Sequence, residues 1–423
     1  MRSIAFGRRV RGVPVYVLLI VLGSCLFGLA AFQQRTSDHF AIFYDAGSGA
    51  DAVSADYARL VEDSLEFAYD FFLAEGFSIF PGLIEVDILE TYSGDLGTEY
   101  LDTDEAGNPV PVIEIAIESI MVDYLAYAYA ETSLDDLVAS TCAHELFHVI
   151  QDYHSLHGIG DISEGSFVEA QATAIQEIVV PTANDYLDPA LDFLLAPDSM
   201  AFFQRAYDAG IFWVYVMDRF GLPAMFDLMN SSALYDGRYA IDHAFAPLGL
   251  SFFDVWVDFA VSLATESLPD SEVIAVLVPE AEGPGWWTKS RDPAPIPPVV
   301  FRETWTGTPI DVAAVNATNQ SEVLPLHADD PIGTELRVAH AYGIDILEIV
   351  INDTSPMTIR FDGDSATQFR TVVASETNAG WASMPFDTSI VLQPEASVSR
   401  IRIVITRSEP GTGEYTITIK PVA

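Results

Sequence analysis

His144-Glu145-Leu146-Phe147-His148 is the feature that most constrains this chain. Two histidines four positions apart differ by about 40° around an α-helix, so both imidazoles project toward one point from one face. A helix is signalled there independently. Thr132 and Ser133, followed by Asp135 and Asp136, form a start signal, and Gly158 and Gly160 form a stop, which predicts a helix from Leu134 to about His154. An apolar helix face does not ordinarily carry two His and a Glu within a turn and a half, because every buried polar group needs a partner. A Zn²⁺ ion between His144 and His148 meets that need. Glu145 then stands beside the metal, placed to take a proton from the water that the metal activates.

A catalytic zinc takes a third protein ligand and leaves one position for water. Glu164, Glu169 and Glu177 follow downstream as candidates. Helical spacing puts Glu169, Ala172 and Thr173 on one face, but spacing alone leaves all three carboxylates open. Cys142 reads as a small buried residue rather than a thiolate ligand.

Around this motif the chain alternates. Phe40 to Tyr44 reads as a strand, Ala55 to Phe72 as a helix, and Ile84 to Leu89 and Val112 to Ile117 as half-buried strands. Gly165 to about Leu263 is mainly helical, broken at Pro181, Pro189, Pro197 and Pro223. Helical periodicity then ends. Leu336 to Val338, Ile344 to Ile351, Ile401 to Ile405 and Tyr415 to Ile419 are strand-like runs divided by turn residues, as in a β-sandwich. Asp362-Gly363-Asp364 has residues that could bind Ca²⁺, but it reads more simply as a plain turn.

Arg2, Arg8, Arg9 and Arg11 precede 20 uncharged residues, Val13 to Phe32. A positive flank before an apolar run directs export, so residues 1–35 are expected to be a signal peptide or an N-terminal membrane anchor. Leu22-Gly23-Ser24-Cys25 is similar to a lipoprotein box, although the apolar residues after Cys25 are unusual there. Either way the remainder is extracytoplasmic, secreted or anchored through residues 13–32. With only Cys25 and Cys142, no disulfide framework is available.

The formal net charge is −43, and Lys occurs only at 289 and 420. Nucleic acid is excluded as a partner, since binding it requires a basic surface. An acidic surface keeps a chain hydrated in strong salt and also attracts cationic substrates. Half the residues are hydrophobic, which separates this chain from charge-expanded disordered sequences.

These motifs together resemble the gluzincin clan of zinc metallopeptidases, and most nearly a group of secreted bacterial members. Their pattern runs approximately HExxHxxQ, then E-G-T-A-T-W-M-E-E, then N-D-Y, then a later Tyr-Gly helix. This chain offers His144 through Gln151, Glu169-Ala170-Gln171-Ala172-Thr173-Ala174-Ile175-Gln176-Glu177, Asn184-Asp185-Tyr186 and Tyr207-Asp208-Ala209-Gly210 in the same order, with Ile211-Phe212-Trp213 and Phe220-Gly221 beyond. The resemblance implies Glu169 as third ligand; an alternative alignment of Ser163-Glu164-Gly165 with the Asn-Glu-Gly of the aminopeptidase branch implies Glu164. It also implies Tyr207 as donor to the oxyanion of the tetrahedral intermediate, with His243 as a second candidate. His154 and His157 receive no role. Ala174 and Gln176 stand where the pattern has Trp and Glu, which puts the support of the metal ligands in question.

The expected architecture is an α+β zincin-like catalytic domain over 36–282, with a small mixed sheet, the HExxH helix and a mainly helical subdomain. A Pro/Gly linker over 283–299 and an all-β sandwich-like domain over 300–423 follow. The expected activity is hydrolysis of peptide or protein substrates. Two other readings use the same residues: a surface binding or scaffold protein that keeps the fold without proteolysis, and a zinc hydrolase of a non-peptide amide.

Overall fold

The structure is a computed structural model. It describes residues 32–47, 49, 52–91, 95–104, 106–128, 132–156, 165–195, 202, 205–222, 224–225, 242–269, 301–306, 310–316, 343–363, 369–408 and 413–422. Most of the N-terminal apolar run, the Pro/Gly stretch 283–299, Leu336 to Val338 and Asp364 lie outside the described residues.

Strands β1 (Phe32–Thr36) and β2 (Phe40–Asp45) pair antiparallel, α1 (Ala55–Ala74) crosses over, and β3 (Ile84–Leu89) returns parallel to β2. β4 (Gly97–Thr103) and β5 (Pro109–Ala116) pair antiparallel, and β5 runs parallel to β3. The sheet order is β1-β2-β3-β5-β4, so β4 is an edge strand opposed in direction to its neighbour. Phe40, Ile42 and Tyr44, like Ile84, Val86 and Ile88, are buried while the residues between them are half-exposed. That alternation arises because one sheet face lies against helices. Residues Phe32 to Thr36, which straddle residue 35, the expected end of the leader, are thus a strand of this sheet.

The helices α2 (Glu118–Tyr127), α3 (Leu134–Leu156), α4 (Gly165–Val179), α5 (Leu187–Leu195), α6 (Gly210–Phe220) and α7 (Phe252–Ala264) follow. Ser133 caps α3: its hydroxyl accepts from the Asp136 N–H at 3.1 Å and donates to the Asp136 carboxylate at 2.8 Å. A cap of this kind contributes about 1 kcal/mol. Leu146, Phe147 and Ile150 are fully buried, each worth about 1.5–3 kcal/mol over an exposed position. Phe147 packs on Phe72 of α1 and on Phe77, with ring centroids 5.8 and 5.9 Å away. Cys142 is fully buried in the same core, its thiol pushed up in pKa by burial and then by Glu145. Among the described residues no single helix is long and apolar enough to cross a membrane.

The C-terminal strands build two further sheets. One has the order β11-β10-β13-β8-β6 and the other β12-β9-β14-β7. They comprise β6 (Phe301–Trp305), β7 (Ile310–Asn316), β8 (Ile344–Ile351), β9 (Met357–Gly363), β10 (Phe369–Thr377), β11 (Gly380–Phe386), β12 (Ser389–Leu392), β13 (Arg400–Arg407) and β14 (Gly413–Pro421). Leu347, Ile349, Ile401, Ile403 and Ile405 of the first sheet share an apolar cluster with Met357, Ile359, Tyr415, Ile417 and Ile419 of the second. The opposite face of the first sheet, at Ile344, Ile346, Val372 and Val404, joins the core of the helices. Trp256 of α7 reaches across that boundary and donates from Nε1 to Thr406 Oγ1 at 3.0 Å, fully buried. Asp362 and Gly363 are the last residues of β9, where a turn was expected.

Candidate metal centre

Helix α3 presents His144 and His148 on one face, and α4 brings Glu169 opposite them. One ligand atom from each of the three lies within 4.8 Å of the others, so this triad can hold a metal ion. The Glu169 carboxylate stands 3.5 Å from His144 Nε2 and 3.4 Å from His148 Nε2. Its Oε2 is buried and makes no hydrogen bond, an arrangement that a cation between the three side chains would satisfy. Glu164 and His157 lie outside the described residues. Glu177 is buried on α4 but does not join the cluster.

The proton positions follow from the partners. His144 Nδ1 donates to Gln176 Oε1 at 2.8 Å, and His148 Nδ1 donates to Gln151 Oε1 at 2.7 Å. Gln151 is itself held by a bond from its Nε2 to the Val168 carbonyl at 3.3 Å. Both Nε2 atoms therefore face the metal position, 3.0 Å apart. Two lone pairs cannot approach so closely, so without a metal one Nε2 must carry a proton. His148 carries it: burial lowers its pKa, but Glu169, Glu145 and Gln151 outweigh burial and bring it up to about 9. A metal takes the place of that proton on binding. Burial pushes the Glu169 pKa up, yet the two imidazoles hold it far below the usual carboxylate range.

Gln176 is thus the partner of His144, although its place in the motif suggested weakened support. An amide oxygen accepts from an imidazole N–H as a carboxylate would. Asp185 is buried nearby: its Oδ2 accepts from Ser140 at 2.6 Å, and burial raises its pKa against the pull of Ser140 and Gln176. Ala174 is fully buried in the apolar core.

Glu145 is 6 % exposed. Burial raises its carboxyl pKa, with His144 and His148 pulling it down and Glu169 and Asp95 pushing it further up. The edge strand β4 passes directly over it. A Cβ at Gly97 would sit 2.6 Å from Glu145 Oε1, so only glycine leaves that carboxylate its position. Gly210 plays a comparable part on the other side, since a Cβ there would meet Thr173 Cγ2 at 2.9 Å. Its absence lets the turn Tyr207–Ala209 approach α4. Tyr207 stacks on His144, with ring centroids 6.1 Å apart, and its hydroxyl interacts with Glu169. Burial, then Glu169 and Glu145, raise the phenol pKa, so it stays a donor at neutral pH. His243 is exposed and does not line this cleft.

The triad opens into a cleft of about 620 Å³. Its wall carries Asp95, Glu99, Asp152 and Asp185 besides Glu145 and Glu169, and no Lys or Arg among the described residues. Glu99 on β4 was not identified from the sequence. Its carboxyl is raised to about 8 by burial and by Asp152, with Glu145 adding to the shift against the pull of His148.

No family model matches the chain, and no curated protein matches it. Among solved structures, a family GH115 4-O-methyl-alpha-glucuronidase, BtGH115A, described as specific for decorated arabinogalactans, is 11% identical with a TM-score of 0.15. The match covers 72% of this chain and 42% of that one, so the chain spans less than half the length of that enzyme. A likeness of this size carries no argument about fold or chemistry.

Proposed function

We propose that this is an exported zinc metallopeptidase of gluzincin type. In this reading a zincin-like unit over 36–282 holds the catalytic centre, and a β-sandwich-like unit over 300–423 is appended to it. One observation carries the reading: His144, His148 and Glu169 gather at one point with Glu145 beside them and Tyr207 across the cleft. Two imidazole nitrogens and one carboxylate are the donor set of a hydrolytic zinc site that keeps a position open. Zinc, when bound, supplies Lewis acidity that lowers the pKa of water to about 7 and polarises a carbonyl.

The chain's own residues do the rest. Glu145 takes the proton of the attacking water and delivers it to the leaving amine, a role suited to a buried carboxylate with a raised pKa. The neutral Tyr207 hydroxyl donates to the oxygen that gains charge. Gln176 and Gln151 keep both imidazoles turned toward the metal. The substrate lies along β4, because an edge strand offers unpaired backbone groups to an extended peptide. Asp95 and Asp152 then face its side chains, which favours Arg or Lys near the cleaved bond.

Digestion of a peptide library by the zinc-loaded protein tests this. Cleavage enriched beside Arg or Lys, stopped by a chelator and restored by zinc, is expected. Cleavage indifferent to chelation would contradict the reading, as would a zinc-loaded protein that cuts no peptide.

A further inference from the structure

Tyr207 is 48 % exposed, and it is carried by a single 3₁₀ turn, Tyr207–Ala209, whose own hydrogen bonds have poor geometry. What keeps such a ring in place at the rim of a cleft has to lie behind the turn. Arg205 lies there, 3 % exposed. Its Nη1 meets Asp208 Oδ2 at 2.5 Å, and Asp208 Oδ1 accepts from the Ala206 N–H at 3.1 Å. One carboxylate, placed just after Tyr207, thus ties down both residues that precede it. The Arg205 guanidinium also lies over the Phe193 ring of α5, 4.6 Å from its centre, and the Arg205 N–H donates to the Phe202 carbonyl at 3.0 Å. A planar guanidinium can stack on a ring and pair with a carboxylate at once, which an ammonium group cannot match.

Phe193 and Phe202 are themselves fixed. Both are fully buried and pack on Trp256 of α7, with ring centroids 6.3 and 4.9 Å away, and Phe212 of α6 joins the cluster at 5.3 Å from Trp256. Trp256 in turn is bonded to Thr406 of β13. An apolar side chain at 205 would fill the same space without the cost of burying a charge, but it would leave Asp208 without this cation and the turn without its tie. We propose that Arg205 is a positioning residue for the cleft: by holding Asp208 against the aromatic cluster it keeps Tyr207 stacked on His144, where the phenol faces the substrate. The chemical part of Tyr207 rests on the peptidase reading, whereas the position of its ring does not.

Fluorotyrosine placed at residue 207 of the full chain reports the position of the ring by fluorine NMR, with or without metal. The unaltered protein should give one resonance, displaced from that of free fluorotyrosine by the neighbouring imidazole. Arg205→Met should split it or move it toward the free value. Asp208→Asn keeps an acceptor for the Ala206 N–H but removes the charge, so it should produce the same change more weakly, and it is the variant to read if Arg205→Met does not fold. With zinc bound, Arg205→Met should lower kcat on a peptide about 10²-fold, the usual cost of a displacement of about 1 Å. KM and zinc content should not change, because a donor to the oxyanion acts in the transition state alone. In a Tyr207→Phe background the same substitution should cost nothing further. A lowered melting temperature with the resonance and kcat unmoved would show that Arg205 only stabilises the fold, and would overturn the proposal. An equal loss of kcat in both backgrounds would overturn it too. If no form cleaves peptide, the peptidase reading fails by itself, and the resonance decides whether Arg205 sets the place of the Tyr207 ring.

Discussion

Glu145→Gln is expected to slow peptide hydrolysis about 10²–10⁴-fold while the protein keeps its zinc. The substitution preserves shape beneath Gly97 and removes only the ability to take a proton. In free-energy terms the loss is about 3–5 kcal/mol of barrier. Metal content should not change, because His144, His148 and Glu169 are untouched. Rates on a single cleaved peptide, measured beside metal content, separate the two effects. An undiminished rate would show that Glu145 is not the base, and a loss of zinc would show that it acts on the site's structure.

The second large effect lies in stability. Arg402 is fully buried where α7 meets the sheet formed by β8, β10 and β13. Its guanidinium bonds to Glu348 at 3.0 Å, to the Ala264 carbonyl at 2.7 Å and to Glu266 at 2.9 Å, and lies 4.7 Å from the centre of the Trp381 ring. Glu348 is 1 % exposed. Arg402→Met would leave that carboxylate with Arg400 at 3.4 Å and strip the Ala264 carbonyl of this donor. Breaking a buried pair from one side costs roughly 3–5 kcal/mol. Thermal unfolding should then shift downward by about 10 °C. Removing both charges, as Arg402→Met with Glu348→Leu, should recover much of the loss. A single variant that melts with the unaltered protein would show that this network does not hold helix and sheet together.

Some of this architecture was readable in advance for identifiable reasons. Helix α3 announces itself through Ser133, Asp135 and Asp136 and ends close to the expected residue. Strands Ile84–Leu89 and Ile344–Ile351 fall at the expected positions, because apolar residues buried in a sheet leave a pattern in the sequence. Strand β4 leaves none. Gly97-Thr98-Glu99-Tyr100-Leu101-Asp102-Thr103 sits at a sheet edge with half its residues exposed, so no apolar alternation marks it. With it Gly97 and Glu99 escaped notice. The metal triad was legible as residue types, Glu169 among three open choices, since helix spacing describes faces and not distances between helices. Gln176 read as a departure because motif comparison scores identity, whereas the hydrogen bond needs only an acceptor. Ser140 and Asp185 are 45 residues apart, and nothing in their local sequence joins them.

Zinc stoichiometry is the most direct test of the central claim. Elemental mass spectrometry on the purified protein, prepared without chelator and resupplied with zinc, should find about one zinc per chain. Glu169→Ala should lose it. A protein that holds no zinc under these conditions, or a Glu169→Ala variant that holds as much as the unaltered chain, would contradict a metal centre built from His144, His148 and Glu169.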